Sequence, residues 1–259
     1  MTILYFFIFV FGLVIGSFLN VCIYRLPLEQ SIVTPRSHCP SCKKTIPWYD
    51  NIPLVSYVLL GGRCRSCKAK ISFNYFLVEL LTAAVLVVLF ATFKLTPLFF
   101  IYSFFACGLI VVTLVDFKHQ IIPDEISIPG IIIGFILSVV YPKLHAAGSL
   151  VPSLVDSAMG ILVGGGTLFL LGIAGEKIFK KEAMGFGDVK LLAMIGAFLG
   201  WKLVLITIFL SSILGTIVGI ILKVTTKQEY IAYGPFLAMA AVLSIFWGNR
   251  IIQFILRGV

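Results

Sequence analysis

Four cysteines and two carboxylates are the side chains of this sequence best placed to do chemistry. Cys39-Pro-Ser-Cys42 and Cys64-Arg-Ser-Cys67 are two Cys-x-x-Cys pairs separated by 21 residues. That gap is one beyond the usual window of about 15 to 20 in four-thiolate zinc sites, a trivial departure for a loop, and four thiolates suit a zinc ion: soft sulfur matches the metal, and a closed tetrahedral shell leaves no position open for catalysis. The expected centre is therefore structural zinc held by Cys39, Cys42, Cys64 and Cys67, with a pair of disulfides or free thiols as the alternative. His38 could also be a ligand, but four cysteines already complete the shell. Cys22 and Cys107 lie inside apolar runs and read as small buried residues.

Asp116 closes one apolar run, in Val-Asp116-Phe-Lys-His-Gln-Ile-Ile-Pro-Asp124, and Asp188 opens another, in Gly185-Phe-Gly187-Asp188-Val-Lys190. The two are 72 residues apart in sequence but at matching ends of helices. A facing pair of carboxylates shares one proton, since both cannot ionise comfortably together. The charged member can then take a proton from water while the protonated one polarises a peptide carbonyl, which is aspartyl proteolysis. Gly185 and Gly187 would let a substrate backbone approach closely. The bland alternative pairs Asp188 with Lys190 or a basic loop residue. Asp124 follows Pro123 and precedes an apolar run, as an N-cap would. Glu79, in Phe76-Leu-Val-Glu79, sits inside a span and could pair with a base of the cysteine loop or contact a substrate amine. Asp156 reads as a solvated helix end.

Those carboxylates matter because their surroundings are lipid. Of 259 residues 60% are hydrophobic and 12% charged, which excludes a soluble globular domain. Apolar runs at 1–24, 76–93, 98–115, 126–141, 154–174, 203–222 and 231–247, with a short one at 189–201, predict an all-α polytopic membrane protein with about eight spans. The first run has no basic n-region or cleavage site and reads as an uncleaved anchor. Gly164-Gly-Gly166 suits helix packing. With eight spans, fifteen of the twenty basic residues fall on one side, which the positive-inside rule makes cytoplasmic, leaving both termini outside. The net charge of +9 forms no helical stripe or tail, so nucleic acid is not an expected partner. The expected domains are a first span (1–24), a cytoplasmic zinc-binding loop (25–75) and a transmembrane core (76–259).

Taken together, the motifs resemble the bifunctional type IV prepilin peptidases. They are Gly16-Ser-Phe-Leu-Asn20-Val-Cys-Ile-Tyr-Arg25-Leu-Pro27, the two cysteine pairs with Trp48, Asn51 and Pro53 between them, Val78-Glu79-Leu, the Asp116 to Asp124 segment, Gly185-Phe-Gly187-Asp188-Val-Lys190 and Gly234-Pro-Phe-Leu237. The resemblance implies removal of a basic leader from prepilins and pilin-like secretion subunits, after a Gly at the cytoplasmic face of the bacterial inner membrane. It further implies methylation of the new N-terminus with S-adenosylmethionine. By position, Asp116 and Asp188 become the catalytic pair, with Asp124, Gly185, Gly187 and Lys190 in supporting places and Glu79 a contact for substrate or methyl transfer. The loop's positive charge is assigned to topology or membrane lipid; Glu29 and Asp50 would be the contacts were it to grip a leader. Two other classes compete: an ion-coupled transporter using the buried Asp residues, and a membrane adaptor docking partners through its zinc loop.

Overall fold

The computed structural model describes residues 2–180, 185–226 and 232–257. Lys181 and Lys227 of the charge count, and Ile231 at the expected start of the last span, lie outside the described residues. Regular structure among the described residues is helical: α1 (Thr2–Arg25), the short α2 (Val55–Leu59), α3 (Phe73–Phe93), α4 (Pro97–His119), α5 (Asp124–Val140), α6 (Leu150–Phe179), α7 (Phe186–Thr226) and α8 (Gly234–Arg257). Extended pairing there is confined to two isolated bridges, His38 with Thr45 and Arg63 with Lys70. Six helices, α1, α3, α4, α6, α7 and α8, are long and apolar enough to cross a membrane, so the architecture is all-α and polytopic. Two compact units, Met1–Val111 and Val112–Val259, divide the chain within α4.

In the first unit α1 and α3 pack antiparallel. A β-carbon at Gly12 would lie 2.6 Å from the Ala83 Cα and one at Gly16 2.7 Å from the Glu79 Cα, so glycine permits the helices to touch backbone to backbone. Asn20 Nδ2 donates to the Tyr75 carbonyl at 3.0 Å, and the Tyr5 ring meets the edge of Phe90 at 4.9 Å. Ser72 caps α3, accepting from the Asn74 N–H at 3.3 Å.

In the second unit α7 is broken within its length. Gly200 has φ 77° and ψ 170°, a backbone region open essentially to glycine. The chain reverses there. A β-carbon at Gly164 would lie 2.5 Å from the Leu192 carbonyl oxygen and 3.2 Å from Val204 Cγ2. A straight helix would hold residues 192 and 204 about 18 Å apart, too far for both to meet one point. Residues 186–199 and 201–226 are therefore two helices joined in a tight hairpin. The first runs antiparallel to α6, with Gly160 against Gly196 in direct backbone contact and Ser157 Oγ donating to the Ala197 carbonyl at 3.0 Å. It runs parallel to α5: Gly130 meets Met194, and Gly134 meets Ala197 and Phe198. The second helix runs antiparallel to α8, joined by Thr207 Oγ1 donating to Ser244 Oγ at 3.0 Å and by Gly248 against Leu203. Residues 191–199 are all buried, so the short run expected at 189–201 forms the core of this unit.

Candidate active site

Asp116 lies on the last turn of α4, buried, and its Oδ2 accepts a 2.9 Å hydrogen bond from the backbone N–H of Gly234, the first residue of α8. Asp188 lies on the first turn of the 186–199 helix, where its own N–H donates to the Gly185 carbonyl at 3.1 Å. Ile122, in the link between α4 and α5, draws the two ends together. Its Cδ1 stands 3.4 Å from where a β-carbon of Gly234 would be, and its Cβ 2.9 Å from that of Gly187. The Asp116 charge is within Coulombic range of Asp188. Asp188 Oδ1 is buried and finds no hydrogen-bond partner among the described residues. Gly185 stands beside Asp188 Oδ2, at 3.5 Å from an imagined β-carbon. Two carboxylates, one accepting from a backbone donor and one with an unpartnered buried oxygen, under a glycine-lined approach, can polarise water and a carbonyl together.

Two neighbours depart from the sequence reading. Lys190 does not pair with Asp188: its Nζ forms an ion pair with Asp124 and lies 5.4 Å over the Phe186 ring. Asp124 is the first helical residue of α5 instead of its cap; Pro123 occupies that position, and the Asp124 carboxylate turns to Lys190. The i, i+2 spacing of Asp188 and Lys190 sends their side chains to different faces of the helix, which frees the lysine for α5.

The four cysteines converge in the first unit. Their Sγ atoms all lie within 4.8 Å of one another, Cys39 and Cys67 being 3.8 Å apart. That is close to the separation of two thiolates about 2.3 Å from one tetrahedral zinc. Each pair sits in the same knuckle. Lys43 and Lys68 both adopt positive φ of 59°, and their N–H groups donate to the Cys39 and Cys64 carbonyls at 2.9 and 3.0 Å. Cys39 and Cys64 in turn donate to Lys44 and Ala69. The N–H of Cys42 pulls the Cys39 thiol down to about 6, toward the thiolate a metal needs. His38 Nδ1 instead faces the Arg36 carbonyl at 3.2 Å. Asp50 is held in a bidentate pair by Arg65, whose guanidinium keeps that carboxyl below its ordinary range.

Glu79 meets no base of the loop. Its Oε2 accepts from the Leu54 N–H at 2.8 Å, tying the loop to α3. Arg25, read from the sequence as part of the family motif and as a topology charge, is buried and donates to the Ser31 and Pro35 carbonyls at 2.8 and 2.7 Å. A cavity of about 600 Å³ opens beside it, lined by Ser17, Phe18, Arg36 and Asn51 among others. The backbone donor Gly234 also escaped the sequence as part of this site, because a main-chain N–H leaves no residue-type signal; only the Gly-Pro at a span start marked the place.

The bacterial Peptidase A24 N-terminal domain matches residues 10–93, and the Type IV leader peptidase family matches residues 103–220. The chain is 36% identical to a prepilin leader peptidase/N-methyltransferase of Aeromonas salmonicida, an alignment that covers 96% of this chain and 92% of the relative. It is 36% identical to the protein of that name in Pseudomonas aeruginosa, covering 93% and 89%. A Myxococcus xanthus protein of the same name is 39% identical over 86% of this chain and 64% of its own length. No solved structure matches the chain. Aligned over nearly the whole length of the Aeromonas salmonicida and Pseudomonas aeruginosa relatives, the chain belongs to the type IV leader peptidase family.

Proposed function

We propose that the chain removes the basic leader from prepilins and pilin-like secretion subunits and then methylates the exposed amine. The observation that carries the cleavage reading is the meeting of Asp116 and Asp188 around Ile122. One carboxylate takes a proton from water, the hydroxyl adds to the scissile carbonyl, and the other carboxyl protonates the carbonyl oxygen. Gly185 and Gly187 leave room for the substrate backbone; Asp124 and Lys190 brace the first turn of the 186–199 helix. Neither the matched families nor the relatives described above are transporters, so ion coupling has no support from them.

Counting α5 and both halves of α7, eight helices cross the membrane. The excess of basic residues on one side supports a cytoplasmic 26–72 loop and cytoplasmic Asp residues at the inner membrane, with both termini outside. A prepilin would reach them sideways from lipid, its cleavage point held where its hydrophobic helix meets the cytoplasmic surface. The chain's parts are a first span, a zinc loop at 25–75 and a peptidase core from 76 onward. Zinc held by Cys39, Cys42, Cys64 and Cys67 stabilises the loop. S-adenosylmethionine supplies the methyl group. The 600 Å³ cavity has room for it, with Arg36 for a carboxylate, Asn51 for a polar edge and Phe18 for a flat ring. Glu79 acts beside it by holding the Leu54 N–H, next to the lining residue Pro53, and not as a methyl-transfer base.

Mass spectrometry of a co-expressed prepilin tests the reading. Unchanged protein should release the leader and add one methyl group, whereas Asp116→Asn and Asp188→Asn should each slow release by about 10²–10⁴-fold. Release unaffected by both substitutions would move the chemistry elsewhere.

A further inference from the structure

The geometry points to Gly234 as the positioning residue that makes the two aspartates unequal: its N–H and its missing side chain hold Asp116 as the ionised partner, leaving the shared proton on Asp188. The inference rests on the peptidase reading above and assigns the two acid–base roles within it.

Gly234 opens α8, where backbone N–H groups lack intrahelical acceptors and the peptide dipoles point their positive ends outward. Pro235 has no N–H to offer, and those of Phe236 and Leu237 turn back to the Tyr233 carbonyl at 3.0 and 3.2 Å. The Gly234 N–H is what remains, and it meets Asp116 Oδ2 at 2.9 Å. A donor fixed by the main chain favours the acceptor form of a carboxylate, the ionised one. The approach also demands glycine, since a β-carbon at 234 would lie 2.6 Å from Asp116 Oδ2. Tyr233 is itself anchored by its hydroxyl, 2.8 Å from Ser211 Oγ, so the start of α8 is fixed from the other side. Asp188 has no such donor at its buried Oδ1. An unpartnered buried oxygen is better accommodated as part of a neutral acid, which can itself donate to an incoming carbonyl.

The steps balance. Asp116 takes a proton from water as the water oxygen bonds to the scissile carbon, and Asp188 gives its proton to the carbonyl oxygen, forming a gem-diol. In the second half the C–N bond breaks, the proton on Asp116 goes to the departing amine, and a gem-diol hydroxyl returns a proton to Asp188. The pair ends as it began.

The test is the pH dependence of kcat and KM for the purified full chain acting on a prepilin. In Gly234→Ala, kcat should fall about 10- to 100-fold with KM held within about threefold, and the acid limb of the kcat profile should move up by about one pH unit. Gly248→Ala is the control: it lies fourteen residues further along α8 than Gly234 and its β-carbon crowds Leu203 Cδ2 at 2.5 Å instead of Asp116, so the limb should stay in place. An unmoved limb in Gly234→Ala, or an equal movement in Gly248→Ala, overturns the inference. Should Gly234→Ala not fold, infrared difference spectra decide: the protonated-carboxyl band should vanish in Asp188→Asn and persist in Asp116→Asn, and the reverse pattern overturns it. If both Asn variants still cleave, the peptidase reading itself fails and takes this one with it.

Discussion

Lys190 reaches from the first turn of the 186–199 helix to Asp124 on α5, and both groups keep contact with solvent. Such a pair contributes at most about 1 kcal/mol. Lys190→Met and Asp124→Asn should each reduce leader cleavage by less than about tenfold, and the double substitution should be no worse than either alone; additive losses would show that they act separately. Glu79 stands differently, since its loss leaves the Leu54 N–H without an acceptor. Glu79→Ala should destabilise the first unit by about 1–3 kcal/mol while Glu79→Gln, which still accepts, should cost far less, as thermal unfolding of the purified protein would report. At this scale the sequence was legible where a residue type clashed with its surroundings. Asp116 and Asp188 stand out because carboxylates are costly in apolar runs, and the cysteines because their spacing matches one metal. What it could not disclose were choices among several available partners: Lys190 for Asp124, Glu79 for a main-chain N–H, Arg25 for two carbonyls. Each depends on which helix faces come together, and nothing local encodes that.

The helical elements followed from hydropathy, and their ends did not. The structure extends α6 to Phe179 and begins α5 at Asp124 and α3 at Phe73, because polar residues at the membrane surface keep helical hydrogen bonds that apolar scoring ignores. The reversal in α7 falls at Gly200, just before the Trp201–Lys202 boundary suggested by the break between two runs. Gly200→Ala would force a side chain into a glycine-only backbone region, with His145 Cδ2 3.0 Å from its β-carbon. A cost of about 1–3 kcal/mol is expected, read as a lower unfolding temperature. His145 packs this corner, its Nδ1 3.0 Å from Ser153 Oγ. Burial holds its pKa below the ordinary value of 6.5, with Asp156 opposing. The unfolded chain therefore binds the proton more readily. Stability contributed by neutral His145 is present above about pH 6.5 and is lost as the pH falls below it. Unfolding temperatures should drop between pH 7 and 5, and less so in His145→Gln; equal slopes in both proteins would remove His145 as the cause.

For the molecule as a whole, the two cysteine knuckles join distant points of a 26–72 loop that has little regular structure of its own. One zinc per chain is expected by elemental analysis of the purified protein. Cys39→Ser or exhaustive chelation should lose it, open the loop to trypsin and leave helical circular dichroism nearly unchanged; zinc content unaffected by Cys39→Ser would refute the ligand set. The membrane-spanning dimensions of the second unit carry another consequence. Residues 186–199 extend about 21 Å and the 17 residues of α5 about 25 Å, both shorter than the roughly 30 Å hydrocarbon core. These are parallel neighbours whose first turns carry Asp188 and Asp124. Of the two, α5 has an exposed apolar flank, at Ile128, Ile132 and Ile136, so lipid beside α5 would thin, or headgroups and water dip inward, at the place where a peptide bond needs a water molecule. On the eight-span reading, water would then reach the carboxylates through the thinned bilayer without a channel. Reconstitution into lecithins of increasing acyl length should slow leader release step by step, and a rate indifferent to bilayer thickness would mean that water arrives by another route.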